Sequence, residues 1–150
     1  MRVLKCTAFL LAGWFNSAAM ANTLSLNIEN EVAAIGTLHV QLFQSETPFA
    51  NELKDWSKLS ALAEKHLPIN GQNISVEFTQ LPNAWYAVRL YVDENANQTL
   101  DLSRAGIPKE AVGFSNNPML FRGKPAINKT SFQLTNNQQS DIRLVKDKRK

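Results

Sequence analysis

The chain has 150 residues, 44% of them hydrophobic, with 16 Lys and Arg, 13 Asp and Glu, and one cysteine. That length suits one domain with a core of its own. The lone Cys6 excludes a disulfide-stapled scaffold, and it lies in a segment expected to be removed, so a cysteine nucleophile and a cysteine-ligated zinc are excluded from the mature protein too.

The first 21 residues read as a secretory leader. Arg2 and Lys5 give a positive start, and an apolar stretch from Cys6 contains Leu10-Leu11-Ala12-Gly13-Trp14-Phe15. Ala19-Met20-Ala21 is a small-x-small cleavage site, so the mature chain is expected to begin at Asn22 and to be periplasmic or extracellular. The apolar run is shorter than the roughly 20 residues of a spanning helix, and Asn16 and Ser17 interrupt it. No membrane span is expected after cleavage. Losing Arg2 and Lys5 leaves 14 basic against 13 acidic residues, a net charge of about +1. That is not the footprint of a nucleic-acid binder, and the basic tail Lys146 to Lys150 reads as a solvated terminus.

Residues 22–150 read as a single domain. Leu24-Ser25-Leu26-Asn27-Ile28 alternates like a half-buried strand, as does Gly36 to Phe43, and the short link between them suggests a hairpin or meander. In the second strand Leu38, Val40 and Leu42 share one face, while His39 and Gln41 point away. One helix is expected over 49–66, with Thr47 as N-cap and Pro48 at the first position. Phe49, Leu53, Trp56, Leu59 and Ala63 would form its apolar stripe, with Trp56 as a core anchor, and Pro68 would end it. Strands follow over 73–79 and 85–92. Both faces of the second of these are apolar enough for a central, doubly covered position. Residues 105–118 read as a long ordered loop pinned by Ile107, Val112 and Phe114. The last strands are expected over 130–134 and 141–145, with a turn at 136–139. Six strands and one inserted helix predict an antiparallel β-sandwich.

The stretch from Asp93 to Asp101 bunches oxygen-bearing side chains at metal-binding spacing. Asp93, Asn95, Asn97, the Thr99 carbonyl and Asp101 fall at alternate positions, as calcium ligands do in an EF-hand loop. Gln98 replaces the glycine of such a loop and Arg104 the bidentate glutamate, so Glu110 would have to fold back to complete the set. A calcium site there would be weak, with a dissociation constant on the order of 10⁻⁴ to 10⁻³ M. The competing reading is a loop whose Asn and Asp side chains cap their own backbone. His39 and His66 lie far apart in the sequence and lack zinc-ligand spacing. No Gly-x-Ser-x-Gly motif or supported Ser/His/Asp set is present.

Several pieces together carry a resemblance: Leu81-Pro82 before Tyr86-Ala87-Val88, then Asp93-Glu94-Asn95-Ala96-Asn97 with Leu100-Asp101, then Gly106-Ile107-Pro108-Lys109-Glu110 and Gly113-Phe114-Ser115-Asn116-Asn117. With them the mature chain resembles the domain-of-unknown-function 2141 family of secreted bacterial proteins. The resemblance implies an immunoglobulin-like or transthyretin-like sandwich and no established activity. Two departures from the family pattern stand out, Ala84 and Gln98, each where glycine is usual. Three functions remain open. One is a non-enzymatic module that binds an envelope protein or a small ligand through the end carrying the 93–101 and 106–118 loops. The others are a hydrolase built on Asp93, Asp101 and Glu110, and a structural module of envelope assembly.

Overall fold

The computed structural model describes residues 21–51, 53, 55–120 and 123–147. The expected leader, apart from Ala21, lies outside the described residues. Among the described residues, eight strands form two sheets. They are β1 (Asn22–Glu29), β2 (Ile35–Ser45), β3 (Ala63–Asn70), β4 (Ile74–Leu81), β5 (Ala84–Asp93), β6 (Val112–Phe114), β7 (Phe132–Leu134) and β8 (Gln138–Arg143). The smaller sheet has the order β4-β1-β8 and the larger β3-β2-β5-β6, with β7 pairing the start of β5 on the side where β6 pairs its middle.

The alternation of apolar residues explains the layers. Leu24, Leu26 and Ile28 of β1, Val76 and Phe78 of β4, and Ile142 of β8 face Leu38, Val40 and Leu42 of β2 and Val88, Leu90 and Val92 of β5 in one shared core. His39 and Gln41 point to the other face, as their parity requires. Where β6 meets β8 the sheets come too close for a side chain. A Cβ on Gly113 would sit 2.7 Å from Leu90 Cδ1 and 2.9 Å from the Arg143 carbonyl oxygen. Reciprocal backbone bonds between Val112 and Val145, 2.9 and 2.8 Å, fasten the chain's end to β6.

Four expectations need correction. First, no α-helix runs through 49–66 among the described residues. A 3₁₀ turn at Trp56–Lys58, capped by Asp55, is followed by β3. The apolar period was real, because Phe49, Trp56, Leu53 and Leu59 do gather in one cluster. They do so as a strap laid across the larger sheet, and packing of that kind meets the same spacing without helical hydrogen bonds. From Ala63 on, Leu67 and Ile69 alternate inward, and Pro68 is tolerated because β3 is an edge strand. Second, β1 and β2 form no hairpin. They belong to different sheets, and β1 pairs antiparallel with β4 and parallel with β8. The buried Asn30 closes the bend between them by bonding both the N–H and the carbonyl of Ala34 at 2.9 Å. Third, Val112–Phe114 is a strand within the expected loop, too short for periodicity to reveal. Fourth, β8 begins at Gln138, inside the expected turn, and ends at Arg143.

The outer face of the larger sheet has a second core. Phe43, Trp56, Ala87, Val112, Phe114 and Ile127 pack there with Phe49 and Tyr91. Trp56 is 1% exposed and donates its indole N–H to the Pro125 carbonyl at 2.9 Å. Both faces of β5 are therefore covered, as its composition predicts.

Candidate functional site

The loop after β5 is built by its own side chains. Asp93 ends the strand buried, and its carboxylate accepts the backbone N–H groups of Asn97 at 3.2 Å and Gln98 at 2.8 Å. Burial pushes its carboxyl group up, but bonds from the N–H groups of Gln98, Asn97, Ala96 and Asn95 outweigh that and hold it below the ordinary aspartate value. Asn97 Oδ1 accepts the N–H and the hydroxyl of Thr99 at 3.0 and 3.1 Å. Asp101 accepts the side-chain amides of Asn95 at 2.7 Å and Asn97 at 3.0 Å. Glu110 does fold back onto the loop. One carboxylate oxygen takes the Glu94 N–H at 2.9 Å and the other the Asp101 N–H at 3.1 Å. The structure thus gathers Asp93, Asn95, Asn97, Thr99, Asp101 and Glu110, and joins them by hydrogen bonds within the loop. Among the described residues no three His, Cys, Asp or Glu side chains are grouped so as to hold a metal ion.

The second motif is equally structural. Ser115 Oγ accepts the Val88 N–H at 2.8 Å and donates to the Thr130 carbonyl at 2.5 Å. Asn116 reaches the Ser131 carbonyl at 2.9 Å. Asn117 lies along β8 as a strand would, donating to the Asp141 carbonyl and accepting the Arg143 N–H, both at 2.8 Å. It blunts that sheet edge. Tyr86 donates its hydroxyl to the Pro82 carbonyl four residues back at 2.9 Å, which ties the Leu81-Pro82 turn to β5.

Beside these motifs lies a cleft of about 540 Å³. Ile107, Pro108, Val112, Phe114, Leu120 and Val145 give it apolar walls, with Lys124 and Lys146 also lining it. Met119, 81% exposed, is another of its lining residues.

A family model described as an uncharacterized protein conserved in bacteria, DUF2141, matches residues 26–142. The chain belongs to this family. Searches of curated proteins and of solved structures found no match. In this DUF2141 chain several of the residues that carried the resemblance have structural work: Asp93, Asn97 and Tyr86 close turns, Asn117 covers an edge, and Val88 and Phe114 fill the two cores.

Sequence reasoning missed a polar cluster on the outer face of the larger sheet. His39 of β2 is directly opposite both His66 of β3 and Tyr91 of β5. One register step away, Gln41 accepts bonds from the Arg89 guanidinium and donates to Glu64 at 2.7 Å. Arg89 stands 5.6 Å from the ring centres of Phe43 and Trp56. The two histidines are neighbours after all. Reading 63–66 as helix hid this, although the outward parity of Glu64 and His66 on a strand was there to be found.

Proposed function

We propose that this protein is an exported, non-enzymatic binding module, and that the cleft beside the 106–118 loop takes a small, mainly apolar ligand. The observation that carries this reading is the cleft itself. Its volume falls in the roughly 300–1,000 Å³ range of small-molecule pockets, and its apolar walls come from the loop end that the sequence singled out. An immunoglobulin-like or transthyretin-like sandwich is the architecture we assign. The Tyr86 hydroxyl bonding back to Pro82 supports it, being the kind of tyrosine corner found in such sandwiches. Export rests on the leader pattern, and N-terminal sequencing of the secreted protein should read from Asn22.

Ligand binding is tested with 1-anilinonaphthalene-8-sulfonate. Saturable one-to-one fluorescence enhancement is expected, with at least a tenfold weaker fit in Val145→Trp, which fills the cleft from its rim. Enhancement indifferent to that substitution sinks the reading.

A second, weaker role for the same end is calcium binding at 93–101, which the return of Glu110 onto the loop supports. The inward-facing amides of Asn95 and Asn97 weigh against it, since both must turn before their oxygens can ligate. A melt in millimolar calcium against chelator separates the two roles. A rise lost in Asp101→Asn assigns the ion, and no rise removes it.

A further inference from the structure

The histidine pair joins close ring packing to a buried nitrogen left unsatisfied. His39 and His66 are directly paired across β2 and β3, with ring centres 4.3 Å apart and planes at 48°. Tyr91 stacks on the other side of His39, ring centres 4.5 Å apart and planes within 7°, and so fixes its plane. His39 is 7% exposed, and its Nε2 is buried without any hydrogen-bond partner. Buried polar atoms are almost always paired, so an orphan of this kind points to a group that completes it. Neighbouring side chains do not supply one. Gln41 is taken by Arg89 and Glu64, and Asp93 by its loop. Asp93 Oδ2 is 4.0 Å from His39 Nε2, and Glu64 Oε2 is 3.7 Å from His66 Nε2. Both are beyond hydrogen-bond reach.

We propose that His39, through Nε2, and His66 together hold a divalent transition-metal ion of the copper(II) class, its other positions filled by water. The chemistry of the pair fits. Imidazole suits such ions, and a tetragonal nitrogen site favours copper(II). Cross-strand pairing holds the ring centres 4.3 Å apart, within the span that one ion about 2.0–2.1 Å from each nitrogen can bridge once the His66 ring turns. Two carboxylates flank the pair and favour a dication over an anion. The His66 side chain is 54% exposed, which opens the site to solvent and leaves that ring free to turn its nitrogen toward the ion.

The test is copper(II) titration of the untagged purified protein at pH 7.5, read by electron paramagnetic resonance. One ion per chain with two nitrogen ligands is expected. His66→Ala, at an exposed position, should leave the melting curve nearly unchanged, weaken binding at least tenfold, and reduce the ligand count to one nitrogen. His39→Gln should do the same to binding. Copper retained with unchanged affinity in His66→Ala overturns the proposal, as does zinc binding more tightly than copper. These outcomes are independent of the dye experiment on the cleft.

Discussion

The two faces of β5 solve the same burial problem in different ways. The inner face sends Tyr86, Val88, Leu90 and Val92 into a core shared by both sheets. The outer face carries Ala87, Arg89 and Tyr91 under a cover of irregular chain. A sheet-on-sheet core needs only alternation and volume. A cover made of straps needs anchors, and here they are specific. Trp56 bonds Pro125, Ser115 bonds Thr130, and Arg89 is held over two aromatic rings. Polar side chains of β2 under partial cover, His39 and Gln41, therefore belong to the outer face. That is where chemistry can be kept without opening the core.

If the strap is integral to the fold, removing its anchor should cost as much as emptying the core. Trp56→Ala is expected to lose about 3–5 kcal/mol, the range for deleting a large buried aromatic. Urea denaturation reads this. A loss below about 1 kcal/mol, with the rest of the transition intact, would make the strap an independent flap. Gly113→Ala probes the junction of the sheets and should cost about 1–3 kcal/mol by overpacking. The clash with Leu90 can be relieved by side-chain motion, but that with the Arg143 carbonyl cannot. A neutral outcome there means that the sheets slide apart easily.

Most of the inner core was legible in the sequence. Strict alternation in 24–28, 36–43 and 73–79 marked three strands and their buried faces, because a core between sheets imposes a period of two. The outer cover was not legible in the same way. Phe49, Leu53, Trp56 and Leu59 showed a helical period and are an irregular strap, since their spacing reflects where the chain crosses the sheet. The sequence named Asp93, Asn95, Asn97 and Asp101 as one loop set and made a complete ligand set conditional on Glu110 folding back, and Glu110 does bond the loop backbone. Its bonding could not be read, because the same oxygens serve an ion or a backbone N–H equally well. The meeting of His39 and His66 depends on the pairing of β2 with β3, and no local pattern carries register between strands.

The outer face should also show in the pH dependence of stability. His39 is held below its unfolded value, first by burial and then by His66. Below about pH 6.5 the unfolded chain takes up a proton that the folded His39 refuses. Stability from this group is therefore fully present above about pH 6.5, and is lost as pH falls toward the folded value. The melting midpoint should be lower at pH 5.5 than at pH 7.5, and His39→Gln should shrink that difference. Asp93, whose folded value is depressed, acts in a separate window, losing its contribution only as pH falls below about 4. An undiminished difference in His39→Gln would assign the effect to other groups.

The smallest effect expected lies at the tip of the 93–101 loop. Gln98 occupies a left-handed conformation with φ of 62°, beside Ala96 at 60°. A side chain there meets the carbonyl that follows it, at a cost of roughly 1–2 kcal/mol, from which glycine is exempt. Glycine gives back part of that gain, about 0.5–1 kcal/mol, through its greater freedom when unfolded. Gln98→Gly should therefore stabilise the protein slightly, by about 0.5–1 kcal/mol, a rise of a few degrees in midpoint. The Asp93 cap is made to the Gln98 backbone N–H, so the substitution leaves it in place. A loss of stability instead would mean that the Gln98 side chain holds the loop. The strained residue would then be part of the design of this end.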